Sequence, residues 1–276
     1  MKYAFSTLGV PGMPIADVAR LAAGTGYQGV ELRAHPEEPV HAGLLAHERR
    51  AVAEEFARAG VEILTVAGYA DVAAAGDDEP VYEELYQLLH LAADLGASYV
   101  RVFPGGGDQD PEEADATAAR RLGVAAEIAA DLGVRILLET HDSHRTGADV
   151  ARVVGLVGHK SVGALWDVMH PWLAGEDPAA THGVLAPYLG YVQVKDIASA
   201  DDRTPLPLGH GALPLAECLA LAVGGGDGTD AVRGLDTPAD DAQGWVCWEY
   251  EKRWYPQAAA LPPLLVAGRE HLSRMF

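Results

Sequence analysis

Four polar side chains end apolar, strand-like runs in the second half of the sequence, and their types could together hold a metal ion. The carboxyl ends of parallel strands meet on one side of a barrel, so these oxygens are expected to converge. Three carboxylates in one cavity need a cation to neutralise them. Carboxylate and amide oxygens suit Mn²⁺ or Mg²⁺ best, with Co²⁺ or Zn²⁺ as alternatives. The predicted ligands of one such cation are Glu139, Asp167, Gln193 and Glu249.

Side-chain alternation along each strand predicts which neighbours share that cavity. Glu249 shares a face with Glu251, and Gln193 shares one with Lys195. For any single residue, a solvated loop edge or an ion pair is the simpler explanation. For the whole set we predict one common barrel mouth, lined by Glu31, Arg101, Glu139, Asp167, Gln193 and Glu249.

The elements that must position these residues alternate regularly along the chain. Apolar runs predict strands over 3–7, 28–33, 61–66, 99–103, 135–140, 163–167, 191–196 and 245–250. Helical periodicity predicts helices over 15–23, 43–59, 81–95, 111–132, 148–157, 178–188, 214–222 and 257–274. Gly96 and Gly133 follow two of these helices as stop signals.

Eight strand-then-helix units predict a single α/β domain over 1–276, a closed (β/α)8 TIM barrel. The alternative is an open doubly wound sheet. Its glycine-rich phosphate fingerprint is missing after the first strand, where the chain reads Leu8-Gly9-Val10-Pro11-Gly12. Residues 224–244 are rich in Gly, Asp, Thr and Pro, which predicts a flexible loop insertion, with a lid as the alternative.

The charge balance restricts the partners that we expect. The chain has 20 basic and 40 acidic residues, a formal net charge of −20. This balance argues against nucleic acid and anionic membranes and favours a small-molecule substrate. With Cys218 and Cys247 as the cysteines and no apolar leader at the N-terminus, we expect a cytoplasmic protein. The sequence does not decide whether the chain forms a homo-oligomer.

Six short motifs together resemble the xylose-isomerase-like TIM barrels grouped as sugar phosphate isomerases and epimerases. The resemblance extends in order over nearly the whole chain, and it is specific for the superfamily but not for a substrate. The motifs that carry it are Gly26–Arg33, Leu138–His141, Trp166–Pro171, Val192–Asp196, Pro207–Gly211 and Trp248–Trp254.

This resemblance implies a single divalent cation held by Glu139, Asp167, the strand-seven residue and Glu249. It also implies that His170 contacts the substrate. The chain departs from the family pattern at Gln193, where the usual ligand is His, and at His210, where relatives often have Glu. An amide oxygen ligates late transition metals more weakly than imidazole does, so the departure bears on the identity of the metal.

The implied activity is that of a metal-dependent isomerase or epimerase acting on a small polyol, ketose or cyclitol through a metal-bound enediolate. Glu139 and Glu249 are the predicted proton-transfer pair, since their strands flank the mouth from opposite sides. A lyase of inosose-dehydratase type on the same site is the first alternative, and a non-catalytic or partner-dependent barrel is the second. A nuclease would need more His ligands and a basic face. The predicted substrate contacts are His170, Lys195, Arg101, His210, Glu31 and His141.

Overall fold

Eight parallel strands form a closed barrel in the computed structural model, which describes residues 1–224 and 244–275. Each strand pairs with the next, and the last strand closes the barrel on the first. This confirms the predicted (β/α)8 fold and excludes the open sheet. The strands are β1 Lys2–Ser6, β2 Gly29–Arg33, β3 Glu62–Asp71, β4 Tyr99–Phe103, β5 Arg135–Glu139, β6 Val162–Asp167, β7 Leu189–Val194 and β8 Trp245–Trp248.

Helices follow the strands and cover the outside of the barrel. Gly96 and Gly133 end two of them in the left-handed conformation, at φ of 72° and 68°, as the sequence predicted. In the described part of the chain, no helix is long and apolar enough to cross a membrane. The helices are α1 Ile15–Thr25, α2 Ala46–Ala59, α3 Asp78–Leu95, α4 Pro111–Leu132, α5 Gly147–Val157, α6 Met169–Leu173, α7 Pro178–Leu185, α8 Leu215–Gly224 and α9 Leu265–Ser273.

Several elements differ from their predicted bounds. The last predicted helix starts only at Leu265, after a 3-10 turn over Pro262–Leu264, because proline lacks the N–H group that a helix interior needs. The α6 helix was not predicted, since its five residues are too short to show a period. Strand β3 runs on to Asp71, five residues beyond its predicted end at residue 66. The insertion predicted at residues 224–244 lies, apart from its two end positions, outside the described residues.

Two apolar layers lie on either side of the barrel wall. The outer layer packs the helices against the strands. The inner layer forms the floor of the barrel, and alternation carries each strand from this floor to a polar residue above it. Leu137 is followed by Glu139 in this way, and Leu165 by Asp167. The buried members of the floor are Ala4, Leu64, Leu137, Leu165, Tyr191, Trp245 and Cys247.

Candidate active site

A layer of buried charged and polar side chains lies above this floor, at the carboxyl ends of the strands. All of them are at most 5% exposed. Ion pairs and hydrogen bonds connect them in three groups, so the structure brings together the residues that were predicted to share the mouth. The members of the layer are Glu31, Arg101, Glu139, Asp167, Gln193, Lys195 and Glu249.

Lys195 is the centre of the first group. Its ammonium nitrogen lies 2.8 Å from Asp167 Oδ2 and 2.7 Å from Glu251 Oε1, and it also bonds to Glu249 Oε2. Burial alone would lower the pKa of Lys195, but the carboxylates of Asp167, Glu249 and Glu251 outweigh it and raise the pKa well above its ordinary value. Two of the four predicted metal ligands therefore already share a cation that the chain itself supplies.

Gln193 and Glu31 form the second group. The amide nitrogen of Gln193 donates to both carboxylate oxygens of Glu31, at 3.0 and 3.2 Å, and the Tyr191 hydroxyl donates to Oε2 as well. Burial raises the pKa of Glu31, the nearby Glu249 raises it further, and Arg101 and the hydroxyl of Tyr191 oppose that rise. The amide oxygen of Gln193 is buried and has no hydrogen-bond partner among the described residues. An acceptor is thus left in the cavity for a cation or a donor group.

Glu139 and Arg101 form the third group. Arg101 Nε lies 3.2 Å from Glu139 Oε2, and the guanidinium lies 3.9 Å from the centre of the Phe103 ring. Burial raises the pKa of Glu139 well above its usual range, while Arg101 pulls it down. Within the described residues, Glu139 Oε2 and Arg101 Nε and Nη1 have no hydrogen-bond partner. These atoms are available to a bound ligand.

Glu139 also takes part in a cluster with His141 and His170. One ligand atom from each of the three lies within 4.8 Å of the other two. The imidazole rings of the two histidines are 4.1 Å apart, and His141 is 4.4 Å from the Phe103 ring. Burial lowers the pKa of His170 well below its ordinary value, so this ring is neutral, as a metal ligand must be.

These donors fit a divalent cation. Glu139 Oε2, His141 Nδ1 and His170 Nε2 are all buried without a hydrogen-bond partner among the described residues, although His141 Nδ1 lies 2.8 Å from Asp142 Oδ2. The sequence placed both histidines among the substrate contacts, and their approach to Glu139 was not predicted. Two imidazoles and one carboxylate suit Zn²⁺, whereas the predicted oxygen set suits Mn²⁺ or Mg²⁺.

His210 lies apart from the buried layer. It is exposed, and its backbone N–H donates to the Pro207 carbonyl at 3.1 Å. The loop that carries it is organised by Asp196, whose carboxylate accepts from the backbone N–H groups of Gly209 and Gly211 at 2.9 and 2.8 Å. His210 therefore lies at the surface of this loop, outside the buried layer.

Sequence reasoning missed two parts of the mouth. Tyr69 accepts a hydrogen bond from Arg33 Nε at 2.6 Å, and it lies beyond the predicted end of its strand. Glu251 bonds to Lys195. The sequence already predicted that Glu251 shares a face with Glu249 and that Lys195 shares one with Gln193. The same alternation could therefore have identified the contact between Lys195 and Glu251.

Comparisons with known proteins agree with this architecture. A family model described as a xylose isomerase-like TIM barrel matches residues 19–232. A relative from Bacillus anthracis, 3-dehydroshikimate dehydratase, is 26% identical over 211 residues, which are 73% of this chain and 74% of that protein. The IOLI protein, solved with a zinc atom, has a TM-score of 0.79 at 18% identity and covers 100% of this chain and 98% of its own. D-psicose 3-epimerase with D-tagatose, from Clostridium cellulolyticum H10, has a TM-score of 0.79 at 15% identity and covers 100% of this chain and 99% of its own.

Proposed function

The chain belongs to the xylose isomerase-like TIM barrel family, and from this premise we propose a divalent-metal-dependent isomerase or epimerase. Its substrate would be a small polyol, ketose or cyclitol with a carbonyl group next to a hydroxyl-bearing carbon. The observation that carries the proposal is Glu139, a buried carboxylate in reach of His141 and His170, with an oxygen that accepts no hydrogen bond among the described residues. The proposed reaction needs a base at the carbon that loses its proton and a cation at the neighbouring carbonyl oxygen.

Glu139 together with His141 and His170 would hold the cation, and Asp167, Gln193 and Glu249 remain proposed ligands as well. Mn²⁺ is the proposed ion for the oxygen ligands, and Zn²⁺ becomes the better ion if the two histidines bind it. When bound, the cation supplies positive charge that makes the proton next to a substrate carbonyl easier to remove.

The side chains supply the other parts of the reaction. The Glu139 carboxylate is the proposed base, through the oxygen that the cation leaves free, and its burial, which raises its pKa, makes it a stronger base than an exposed carboxylate. Arg101, whose Nε and Nη1 make no hydrogen bond among the described residues, would donate hydrogen bonds to substrate oxygens. Glu249, which directly follows β8, three strands round the closed barrel from the strand of Glu139, is the proposed second proton carrier.

Dehydration is the second candidate, and two observations favour it. The relative at 26% identity is a dehydratase. In addition, Glu249 is bonded to Lys195, whereas two-base epimerisation needs a free carboxylate on the second face of the substrate. Elimination needs only one base: Glu139 takes the proton from carbon, a carbon–carbon double bond forms as the neighbouring carbon–oxygen bond breaks, and the departing hydroxyl takes the proton back from Glu139 and leaves as water.

An activity panel separates the two candidates. The metal-free protein, resupplied with Mn²⁺ or Zn²⁺, is incubated with ketoses, inososes and 3-dehydroshikimate. Chromatography detects new isomers, and ultraviolet absorbance detects the conjugated product of water loss. Glu139→Gln is expected to slow either reaction by about 10²–10⁴-fold, while Glu62→Gln, on an exposed carboxylate that pairs with Lys2, keeps it. Full activity of Glu139→Gln on any substrate that the wild type converts would contradict the proposal.

A further inference from the structure

The loop after β5 makes a tight turn from His141 to His144. The backbone N–H of each of these histidines donates to the carbonyl of the other, at 3.2 and 2.9 Å. Between them Asp142 adopts φ of 44°, a left-handed conformation that non-glycine residues seldom adopt. The turn begins two residues after Glu139, so the two hydrogen bonds with His144 fix the backbone of His141 on the side away from the strand.

His144 is itself held by side chains from outside the loop. Its ring is 3% exposed, and Nε2 lies 2.9 Å from Asp115 Oδ1 on helix α4. Arg152 on helix α5 bonds to the same carboxylate through Nε and, at 3.1 Å, through Nη2. On the other side of the ring, Nδ1 lies 2.9 Å from Ser143 Oγ, which accepts from the Gly106 N–H at 2.9 Å.

These contacts define one tautomer. An ionised Asp115 can only accept, so His144 Nε2 carries a hydrogen, and in the neutral ring Nδ1 then accepts from the Ser143 hydroxyl. Every polar atom of the ring then has a partner. This hydrogen-bond chain connects the loops after β4 and β5 with helices α4 and α5, and it touches none of the residues assigned to proton transfer.

We propose that His144 is a positioning residue: anchored on Asp115, it holds the turn that aims the His141 ring at the cation cluster. The proposal rests on the proposed function, because it assumes that the His141 ring binds the cation. Residues that orient metal ligands through hydrogen bonds affect metal affinity by about 10–100-fold. A fixed ring also agrees with the close contacts of the His141 ring with the rings of Phe103 and His170, whose centres lie 4.4 and 4.1 Å away.

The test compares three variants in the full chain. His144→Ala removes the anchor, His144→Gln keeps a donor at the position of Nε2, and Val153→Ala creates a cavity in the core-facing side of helix α5 without touching the anchor. The first readout is the proton resonance of the His141 ring in metal-free protein, assigned by its loss in His141→Asn. Ring currents of Phe103 and His170 shift this resonance. The second readout is the Kd for Mn²⁺ and Zn²⁺ by calorimetry.

We expect His144→Ala to move the His141 resonance toward its value in a free peptide and to weaken cation binding by about 10–100-fold. His144→Gln should recover part of both effects, and Val153→Ala should change neither. A wild-type His141 resonance in His144→Ala would overturn the proposal, and so would equal shifts in His144→Ala and Val153→Ala. If the resonance moves as expected but the wild type binds no cation, the positioning stands and the proposed function fails.

Discussion

Replacing Lys195 with Met removes the cation on which three carboxylates converge, two of them buried. The side chain is 3% exposed, and its ammonium bonds to Asp167, Glu249 and Glu251. Breaking a buried ion pair by removing one partner costs about 3–5 kcal/mol, because the remaining charge is buried without compensation. For a chain of this size that corresponds to a fall in Tm of about 6–20 °C. We expect Lys195→Met to fold with this loss.

The pH dependence of the loss follows from the pKa of Lys195. That pKa is raised in the folded protein, so the stabilisation by Lys195 is fully present below the pKa of the unfolded chain and is lost as pH rises through the folded pKa. At neutral pH the full effect is therefore expected.

The assay is urea denaturation of both proteins with and without Mn²⁺. The ion should stabilise Lys195→Met more than the wild type, because the freed oxygens of Asp167 and Glu249 become available to it. Lys2→Met is the matched control: this lysine pairs with an exposed Glu62, and its loss should cost less than about 1 kcal/mol. A Lys195→Met variant as stable as the wild type would refute the reasoning.

Three further predictions concern the same mouth. Glu139→Gln and Glu249→Gln should still bind the cation, as measured by calorimetry, but should lower kcat by about 10²–10⁴-fold. Asp167→Asn should mainly weaken cation binding. A wild-type kcat in both glutamine variants would contradict the two-carboxylate mechanism. Gln193→His should raise the affinity for Zn²⁺ or Co²⁺ relative to Mg²⁺ in a competition assay, and an unchanged preference would count against Gln193 as a ligand. Asp196→Ala should destabilise the protein by about 3 kcal/mol or more in urea denaturation, because the hydrogen bonds from two loop N–H groups to a charged carboxylate are lost. An unfolding midpoint equal to that of the wild type would show that the loop keeps its conformation without Asp196.

The barrel was predictable because its strands are buried on both faces and therefore stand out as short apolar runs. Alternation also placed Gln193 and Lys195 on the inner face. Alternation predicts the face on which a side chain lies, but not which partners a long side chain reaches. Lys195 bonds to carboxylates on two neighbouring strands, and this geometry depends on the register of β6, β7 and β8, which the sequence does not state.

The histidine cluster shows a second limit of the sequence. His141 and His170 follow different strands and were both predicted to contact the substrate. Their approach to Glu139 depends on the turn from His141 to His144 and on the five-residue helix α6 that carries His170. Both features are local, irregular and too short to produce a periodic pattern, so they emerge only when the chain is folded.

The central claim is that Glu139 removes a proton next to a substrate carbonyl with the help of a divalent cation. Solvent exchange tests it most directly: a converted substrate is incubated in deuterated water, and deuterium at the reacting carbon is followed by NMR. The account predicts deuterium in the product or the recovered substrate. It also predicts that exchange stops when a chelator removes the cation, fails in Glu139→Gln and persists in Glu62→Gln. Absence of deuterium from both the product and the recovered substrate, or exchange at the wild-type rate in Glu139→Gln, would contradict it.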